Sequence, residues 1–426
     1  MTSATARAAL RNAEVAPQLA RISAATNAET HEDLSRRLIL EVHTDLDSVE
    51  SRWREFERRA DCTPFQTFDW VAAWQRNIGV REGVIPVVAI GCINRDQIAF
   101  ILPLALVPGR LTRRLCWLVQ EMSDYTAPLL APDFSRLLSA DQFRSVWREL
   151  IDRLRYDPRL RPDWIELEKM PQFVGAQVNP FTGLHVALHA SGAHLTSLGK
   201  DWQTFYFAKR SAATRARDRA KLRNIAKYGE IRFVADADPE GVRAMIDALM
   251  KLKGRALASK GIPNIFVRPG RRDFFLDLAS NPRTRHLVHV SRVQIGPAWA
   301  AVNFGLVFRD CYYHLVASFG EGEYARYGPG ALHLRELMAY AISRGLRRFD
   351  FTIGDEPYKL EWCDTHLVLY DLIAAVSYRG WPASLYAHVR RSLKRFIKQT
   401  PLAWRVVCAA RRMFCQLHTR SERNYC

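Results

Sequence analysis

Residues 299–319 read WAAVNFGLVFRDCYYHLVASF, and this stretch decides the fold. Two runs rich in β-branched and aromatic residues flank Arg309-Asp310, which predicts two strands joined by a tight turn. Residues 286–295 predict a third strand, because Gly296-Pro297 separates them from the next run. Three such strands in succession indicate an antiparallel meander.

The segment that follows this meander predicts a helix and one more strand. A Gly- and Tyr-rich loop over residues 320–330 precedes an apolar-periodic run, 331–344, which Gly345 ends at the position after a helix. Residues 347–352 then predict a strand that returns to the sheet by a crossover. The unit is therefore α+β, with a mixed sheet.

An earlier part of the chain repeats this order of elements. It contains three predicted strands, a helix and a further strand, at residues 85–92, 98–107, 115–120, 141–154 and 164–168. The repeat lies in the order of elements and not in the residues. It predicts two tandem α/β (α+β) halves, each with a mixed central sheet flanked by helices.

Four segments follow from this organisation. Residues 1–36 are rich in Ala, Ser, Thr and Asn and predict a disordered leader. Residues 37–200 and 201–380 form the two halves, and 381–426 form a basic, amphipathic helical tail. A very basic helix over 205–228 and an amphipathic helix over 241–258 are predicted early in the second half.

The net charge and the cysteine spacing limit which partners and which compartment are expected. The 62 Lys and Arg against 44 Asp and Glu give a formal net charge of +18, which favours an anionic partner. The eight cysteines form no C-x-x-C pair, so a reducing cytoplasm is expected. His185 and His189 have helical metal spacing but lie in a predicted strand, too far apart to share an ion. We expect no metal.

The segment 349–362 reads FDFTIGDEPYKLEW, and it resembles the C-terminal signature of the CelD/BcsL-type acetyltransferases of the GNAT superfamily. Ser123-Asp124-Tyr125 and Tyr327-Gly328-Pro329-Gly330 agree with it. The resemblance implies two tandem GNAT-like domains, the first degenerate, and a part in cellulose or exopolysaccharide biosynthesis. It also implies acetyl-CoA or another acyl-CoA as co-substrate, with no tightly bound cofactor. Related peptidoglycan-bridge transferases, which use aminoacyl-tRNA, share the doubled fold.

The predicted donor site is the loop and helix start in the second half. The usual GNAT pyrophosphate motif is absent, and residues 326–330 stand in its place. A helix N-terminus offers unpaired N–H groups and a partial positive charge to a pyrophosphate. The candidate donor-binding residues are Arg326, Tyr327, Gly328, Gly330, Ala331 and Leu332; a plain tight loop is the alternative.

Acyl transfer needs a base for the acceptor and a hydrogen-bond donor for the developing oxyanion. Asp355 is the first choice of base, His314 the second, and Tyr327 is a candidate acid for the leaving thiolate. A turn or helix-capping role for Asp355 is the structural alternative. Candidate substrate-binding residues are Asn303, Asp350, Glu356, Tyr358, Lys359 and Asp124.

The sequence thus predicts a cytoplasmic, monomeric acyltransferase that transfers an acyl group, acetyl in the first instance, from acyl-CoA to an amine or hydroxyl of a small or sugar-linked acceptor. An aminoacyl-tRNA-dependent transferase and a non-catalytic accessory of a polysaccharide synthase are the alternatives. Other nucleic-acid binding is not expected, because no recognition motif occurs. The basic run 385–412 fits either an anionic inner-membrane face or a solvated surface.

Overall fold

The computed structural model describes residues 38–94, 97–235 and 238–400, together with residues 403 and 407. The predicted leader and most of the tail beyond residue 400 lie outside these ranges. The strands are β1 Leu38–His43, β2 Ile85–Ile93, β3 Gln97–Pro108, β4 Arg113–Trp117, β5 Leu129–Leu130, β6 Trp164–Pro171, β7 Phe173–Val174, β8 Gln177–Val178, β9 Ala187–Leu188, β10 Ala193–Ser197, β11 Ile231–Val234, β12 Val288–Ile295, β13 Ala298–Phe308, β14 Cys311–Phe319, β15 Arg348–Ile353, β16 Thr365–Leu367 and β17 Leu369–Ala375.

The helices flank these strands. They are α1 Glu50–Arg59, α2 Phe68–Trp74, α3 Phe134–Leu137, α4 Ala140–Tyr156, α5 Trp202–Lys209, α6 Ala212–Ala226, α7 Pro239–Ala258, α8 Arg271–Ser280, α9 Pro329–Ser343, α10 Pro357–Leu360 and α11 Trp381–Gln399. Within the described ranges, no helix is both long and apolar enough to cross a membrane.

The two large sheets have the same architecture. The first runs β1-β2-β3-β4-β6-β17-β9, and the second runs β11-β12-β13-β14-β15-β10-β16. In each sheet an antiparallel meander leads to a parallel pair, β4 with β6 and β14 with β15. The α+β class and the repeated order of elements are therefore confirmed.

The sheets also exchange a strand. β10 precedes residue 200 in the chain but pairs with β15 and β16 of the second sheet. β17 comes from the second half but pairs with β6 and β9 of the first sheet. A cut at residue 200 would therefore separate each sheet from one of its own strands.

The two halves share one hydrophobic core. Trp70 of α2 meets Phe274 of α8 edge to face, with ring centroids 4.9 Å apart. Phe275 packs in the same way on Phe304 of β13, at 4.8 Å. Since Trp70 belongs to the first half and the other rings to the second, close packing fixes the halves against each other.

The basic helix predicted over residues 205–228 is two helices. α5 ends at Lys209, and α6 begins after Ser211, whose Oγ accepts a hydrogen bond from the Thr214 amide at 3.2 Å. The N-cap of a helix has a non-helical backbone, so Ser211 separates the two helices. The run of basic residues on both sides of Ser211 made this boundary hard to see in the sequence. Phe205 and Ile225 are buried, so each helix also contributes to the core.

The helix after the Gly- and Tyr-rich loop begins slightly earlier than expected. α9 starts at Pro329, because Gly328 takes φ +74° and Pro fits the first helical position. Gly345 has φ +75° just after the helix, which confirms the predicted end.

Candidate active site

The parallel pair β14 and β15 separates after three residues. Their pairing runs from Cys311 with Arg348 to Tyr313 with Asp350, and β14 then continues to Phe319 paired with β13 but not with β15. Strands that diverge in this way leave a slot between their carboxyl ends.

Asp350 lies where the strands diverge and is 4% exposed. Its Oδ1 accepts hydrogen bonds from the Tyr125 hydroxyl and from the Thr352 amide, both at 2.7 Å. Burial raises the pKa of Asp350 to about 7, although these hydrogen bonds oppose the shift. Because Tyr125 belongs to the first half, the site is built at the junction of the two halves.

Thr352 carries local backbone strain. Its φ of +59° is an outlier for a β-branched residue. This conformation turns the amide toward Asp350, and the hydroxyl donates to the carbonyl oxygen of His314 at 3.3 Å. Strained backbone persists where surrounding contacts hold it, as they commonly do at functional sites.

Lys359 is a buried cation at the end of the same strand, 3% exposed. Its Nζ donates to the carbonyl oxygens of Ile353 at 2.7 Å and Thr352 at 3.3 Å, and pairs with Glu356 Oε2 at 3.1 Å. Burial by itself would raise the pKa of Glu356, but the ion pair with Lys359 brings it below its ordinary value. Glu356 is therefore an anion that holds the ammonium group in place.

Asp124 enters the cluster from the loop after β4. Burial raises the pKa of its carboxyl, and Lys169 and a hydrogen bond with Thr352 oppose that shift. Lys169 Nζ donates to the carbonyl oxygens of Ser123 at 2.6 Å and Gln120 at 2.7 Å, so it fixes the loop that carries Asp124. A half-buried carboxylate with a raised pKa is a stronger base than an exposed one and is a candidate for proton transfer.

His314 lies on β14 next to the cluster. Burial lowers its pKa to about 3, and the cations Lys359 and Lys253 add to the shift. The imidazole is therefore neutral and a weak base at neutral pH, which disfavours the base role expected for it. Lys253 reaches the slot from α7, where its Nζ donates to the carbonyl oxygen of Ala317 at 3.3 Å.

The equivalent slot in the first half is covered by the chain itself. β4 and β6 pair over two residues only, ending at Leu115 with Ile165. Beyond them the Glu168 amide donates to Gln120 Oε1 at 3.1 Å, and the Thr126 amide donates to the carbonyl oxygen of Lys169 at 3.2 Å. The loop after β4 thus occupies the edge of β6.

The helix start in the expected donor loop has few backbone N–H groups free to bind a pyrophosphate. The amides of Ala331 and Leu332 both donate to the Gly328 carbonyl oxygen, at 3.1 and 3.2 Å. Pro329 has no N–H, so Gly330 carries the first amide available to a ligand. The side chain of Leu332 is buried in the core, so its contact with a donor is not supported.

An aromatic cluster holds the residues before this helix. The guanidinium of Arg326 lies 4.9 Å from the Tyr327 ring centroid, and its Nη2 donates to the Tyr228 hydroxyl at 3.3 Å. The ring of Tyr228, just after α6, also lies 6.4 Å from that of Tyr324. α6 packs against this loop, so the end of α6 and the loop before α9 are held together.

The remaining predicted residues are separated from the buried cluster. Asp355 is at the rim, with 46% of its side chain exposed, and its Oδ1 accepts from the Gly192 amide at 3.2 Å. Tyr358 is exposed as well. Asn303 is fully buried and its Nδ2 donates to the Tyr312 hydroxyl at 2.8 Å, in an internal network that also holds His289. A substrate contact by Asn303 is not supported.

The structure therefore assembles Asp124, Asp350, Glu356 and Lys359 and adds residues that were not singled out. Lys169 and Lys253 had no sequence signal, because each is one lysine among many in a basic chain. Tyr125 lies in the quoted Ser-Asp-Tyr motif, but its role depends on how the halves dock.

Comparison with known proteins places this site in a family context. Residues 212–360 match a family model described as an acetyltransferase (GNAT) domain. No curated protein matches the chain. FemX is similar over 78% of this chain and 96% of its own, with 11% identity and a TM-score of 0.50.

Two further solved structures are similar at a lower level. One is the C-terminal domain of a putative lysylphosphatidylglycerol synthetase from Agrobacterium fabrum. The similarity extends over 81% of this chain and 95% of that one, at 10% identity and a TM-score of 0.48. A tandem GNAT protein from the clavulanic acid pathway covers 80% and 100%, at 10% identity and TM-score 0.43. The match of residues 212–360 to the acetyltransferase (GNAT) family model supports a GNAT-like fold and a GNAT-type acyltransferase domain.

Proposed function

We propose that this protein transfers an acyl group, acetyl in the first instance, from acyl-CoA to an amine or hydroxyl of a small or sugar-linked acceptor. The observation that carries the proposal is the cluster of Asp124 and Lys359 at the point where β14 and β15 separate. It combines a proton acceptor with a buried cation, and these are two kinds of group that assist direct acyl transfer.

In this mechanism Asp124 replaces Asp355 as the base. The acceptor loses its N–H or O–H proton to the Asp124 carboxylate while its heteroatom bonds to the acyl carbon. Negative charge develops on the former carbonyl oxygen, in the field of Lys359. The carbon–sulfur bond then breaks, and the thiolate takes a proton, for which Tyr327 is the proposed donor.

Asp350 and Tyr125 act as positioning residues. Asp350 is buried and touches no open surface, so it is not placed to receive a proton from an acceptor. Its hydrogen bonds instead fix the strained Thr352, which contacts Asp124. Docking of the first half thus sets the geometry of the reacting groups in the second.

A second donor, aminoacyl-tRNA, is favoured by one specific surface. A groove of about 440 Å³ at the start of α6 carries an excess of cations. It is lined by Lys209, Arg210, Ser211, Thr214, Arg217, Asp218, Lys221 and Glu361. Such a surface attracts phosphates, and an RNA backbone bound there would be released steeply as the salt concentration rises.

Calorimetric titration with acetyl-CoA, CoA and an aminoacyl-tRNA, across a salt series, distinguishes these donors. We expect micromolar binding of acetyl-CoA and CoA. Binding of aminoacyl-tRNA alone, with a steep salt dependence, would replace the CoA proposal. Transfer of labelled acetyl to a panel of amines and amino sugars should then fall about 100-fold or more in Asp124→Asn.

The acceptor is proposed to lie at an anionic membrane face, in keeping with a part in exopolysaccharide or cellulose biosynthesis. α11 turns a row of large apolar side chains to solvent, a feature that marks interaction sites. They are Trp381, Leu385, Tyr386, Val389, Leu393 and Phe396. Arg391 and Lys394 flank this row, and their charge matches an anionic bilayer better than an uncharged partner.

The compartment and the oligomeric state follow as proposals. Among the described residues, Cys62, Cys92, Cys116, Cys311 and Cys363 form no disulfide, which suits the cytoplasm. The exchanged strands already pair two similar sheets within one chain, so we propose a monomer, to be checked by light scattering.

A further inference from the structure

A histidine that the proposed mechanism does not use lies next to the slot. His194 on β10 is 2% exposed, and neither of its ring nitrogens has a hydrogen-bond partner. An unsatisfied buried imidazole is costly, because it has lost its hydration without replacement. Among the described residues it is the one histidine with both ring nitrogens in this state.

Two further ligand-type groups surround it. His194 Nε2 lies 3.8 Å from Asp355 Oδ1, and the ring of His366 on β16 lies 5.1 Å from that of His194. The candidate donor atoms of all three side chains fall within 4.8 Å of one another. They come from β10, β16 and the loop after β15, so tertiary structure alone brings them together.

The backbone at Gly192 makes room for this group. A Cβ built on Gly192 would lie 2.0 Å from His366 Nε2, so any side chain there would displace that imidazole. The Gly192 amide also donates to Asp355 Oδ1 at 3.2 Å, which orients the carboxylate. A hydrogen bond of this kind to a ligating carboxylate is common around metal sites.

We propose that His194, Asp355 and His366 bind one divalent metal ion of the zinc type, with a fourth position open to water. Two imidazoles and one carboxylate are a ligand set that Zn²⁺ accepts in tetrahedral geometry. Donor atoms on one zinc lie about 3–4 Å apart, so a small rotation of the exposed His366 completes the site. The metal satisfies His194 and ties the loop that leads to Lys359 onto β10 and β16.

One neighbouring cation opposes metal binding. Lys398 Nζ lies 3.9 Å from Asp355 Oδ2 and donates a hydrogen bond to Ser191 Oγ. A metal must therefore displace this charge from the carboxylate. We therefore expect the Lys398→Met variant to bind metal more tightly than the unmodified chain does.

The test is calorimetric titration of the chelator-treated full chain, without a polyhistidine tag, with Zn²⁺ alone. We expect one equivalent to bind, with an affinity at least about 10-fold weaker in His366→Ala and in Gly192→Ala. His185→Ala, an exposed histidine outside the group, is the matched control and should bind as the unmodified chain does. A visible absorption band with Co²⁺, lost in the same two variants, reports the coordination independently of catalysis.

Two results would overturn the proposal. One is no binding by the unmodified chain; the other is binding that His366→Ala and Gly192→Ala leave unchanged, as metal held by cysteines elsewhere would give. Thermal unfolding of each variant without metal shows whether it is folded. Because neither variant alters Asp124 or the donor loop, titration with acetyl-CoA separates failure here from failure of the proposed function.

Discussion

The Tyr125 hydroxyl donates a hydrogen bond to Asp350 Oδ1 across the junction of the two halves, at 2.7 Å. Both residues are buried, and they lie 225 positions apart in the sequence. Through this bond the loop that carries Asp124 is fixed against the strand that leads to Lys359.

Removal of this hydroxyl should destabilise the fold. Tyr125→Phe leaves a buried carboxyl with one fewer donor, and we expect a loss of about 1–3 kcal/mol in the free energy of unfolding. Urea denaturation measures it, with the exposed Tyr156→Phe as control. Equal stability of the two variants would show that the contact contributes nothing.

Asp350 should make the stability depend on pH. Burial raises the pKa of Asp350 from 3.8 to about 7. Between pH 4 and pH 7 the folded state therefore keeps a proton that the unfolded state has released. The stability due to this group is complete below pH 4 and is lost as the pH rises through 7. Unfolding free energy of the unmodified chain should therefore fall relative to Asp350→Asn between pH 5 and pH 8. Parallel curves for the two proteins would contradict the assignment.

A buried polar pair should hold the exchanged strand β17 in the first sheet. Asp371 Oδ1 accepts from the Lys169 amide at 3.0 Å and lies 2.8 Å from His189 Nδ1. Loss of one partner from a buried hydrogen bond costs about 1–3 kcal/mol, because the other group is left unsatisfied. We expect Asp371→Ala to lower the unfolding free energy by this amount in urea denaturation. The partly exposed Asp273→Ala should change it little, and a similar value for both would mean that the pair does not secure β17.

The apolar face of α11 should govern membrane binding. Leu393→Glu replaces one of its exposed apolar side chains, and Ser392→Glu makes the same charge change without that loss. Co-sedimentation with phosphatidylcholine vesicles, with and without phosphatidylglycerol, compares them. We expect binding only with the anionic lipid, weakened more by Leu393→Glu. Equal effects of the two substitutions, or no binding at all, would contradict membrane binding by this face and would indicate a protein partner instead.

The sequence predicted the strands and helices well where one local pattern decides them. The alternation of long apolar runs and turns around Arg309-Asp310 determines β13 and β14, and Gly345 marks the end of α9. The break between α5 and α6 was missed, because the polar Ser211 does not stand out in a basic run. Local patterns therefore yield elements and most of their ends.

The site was predicted only in part, because it depends on contacts that are distant in the sequence. Lys359 and Asp124 were found through a motif, but the exchange of β10 and β17 has no local signal. Burial decides which carboxylate has a raised pKa, so Asp355 was preferred although it is exposed. The burial of Asn303 had no sequence signal, because the face of a mostly apolar strand cannot be assigned from alternation.

The central claim is that the loop before α9 holds acyl-CoA, and calorimetric titration with acetyl-CoA tests it most directly. Gly330→Trp places an indole where even a Cβ would lie 3.0 Å from the Phe319 ring, whereas Leu111→Trp adds one at an exposed turn of the first half. We predict micromolar binding by the unmodified chain and Leu111→Trp, and none by a folded Gly330→Trp. Binding that Gly330→Trp leaves intact would contradict the account.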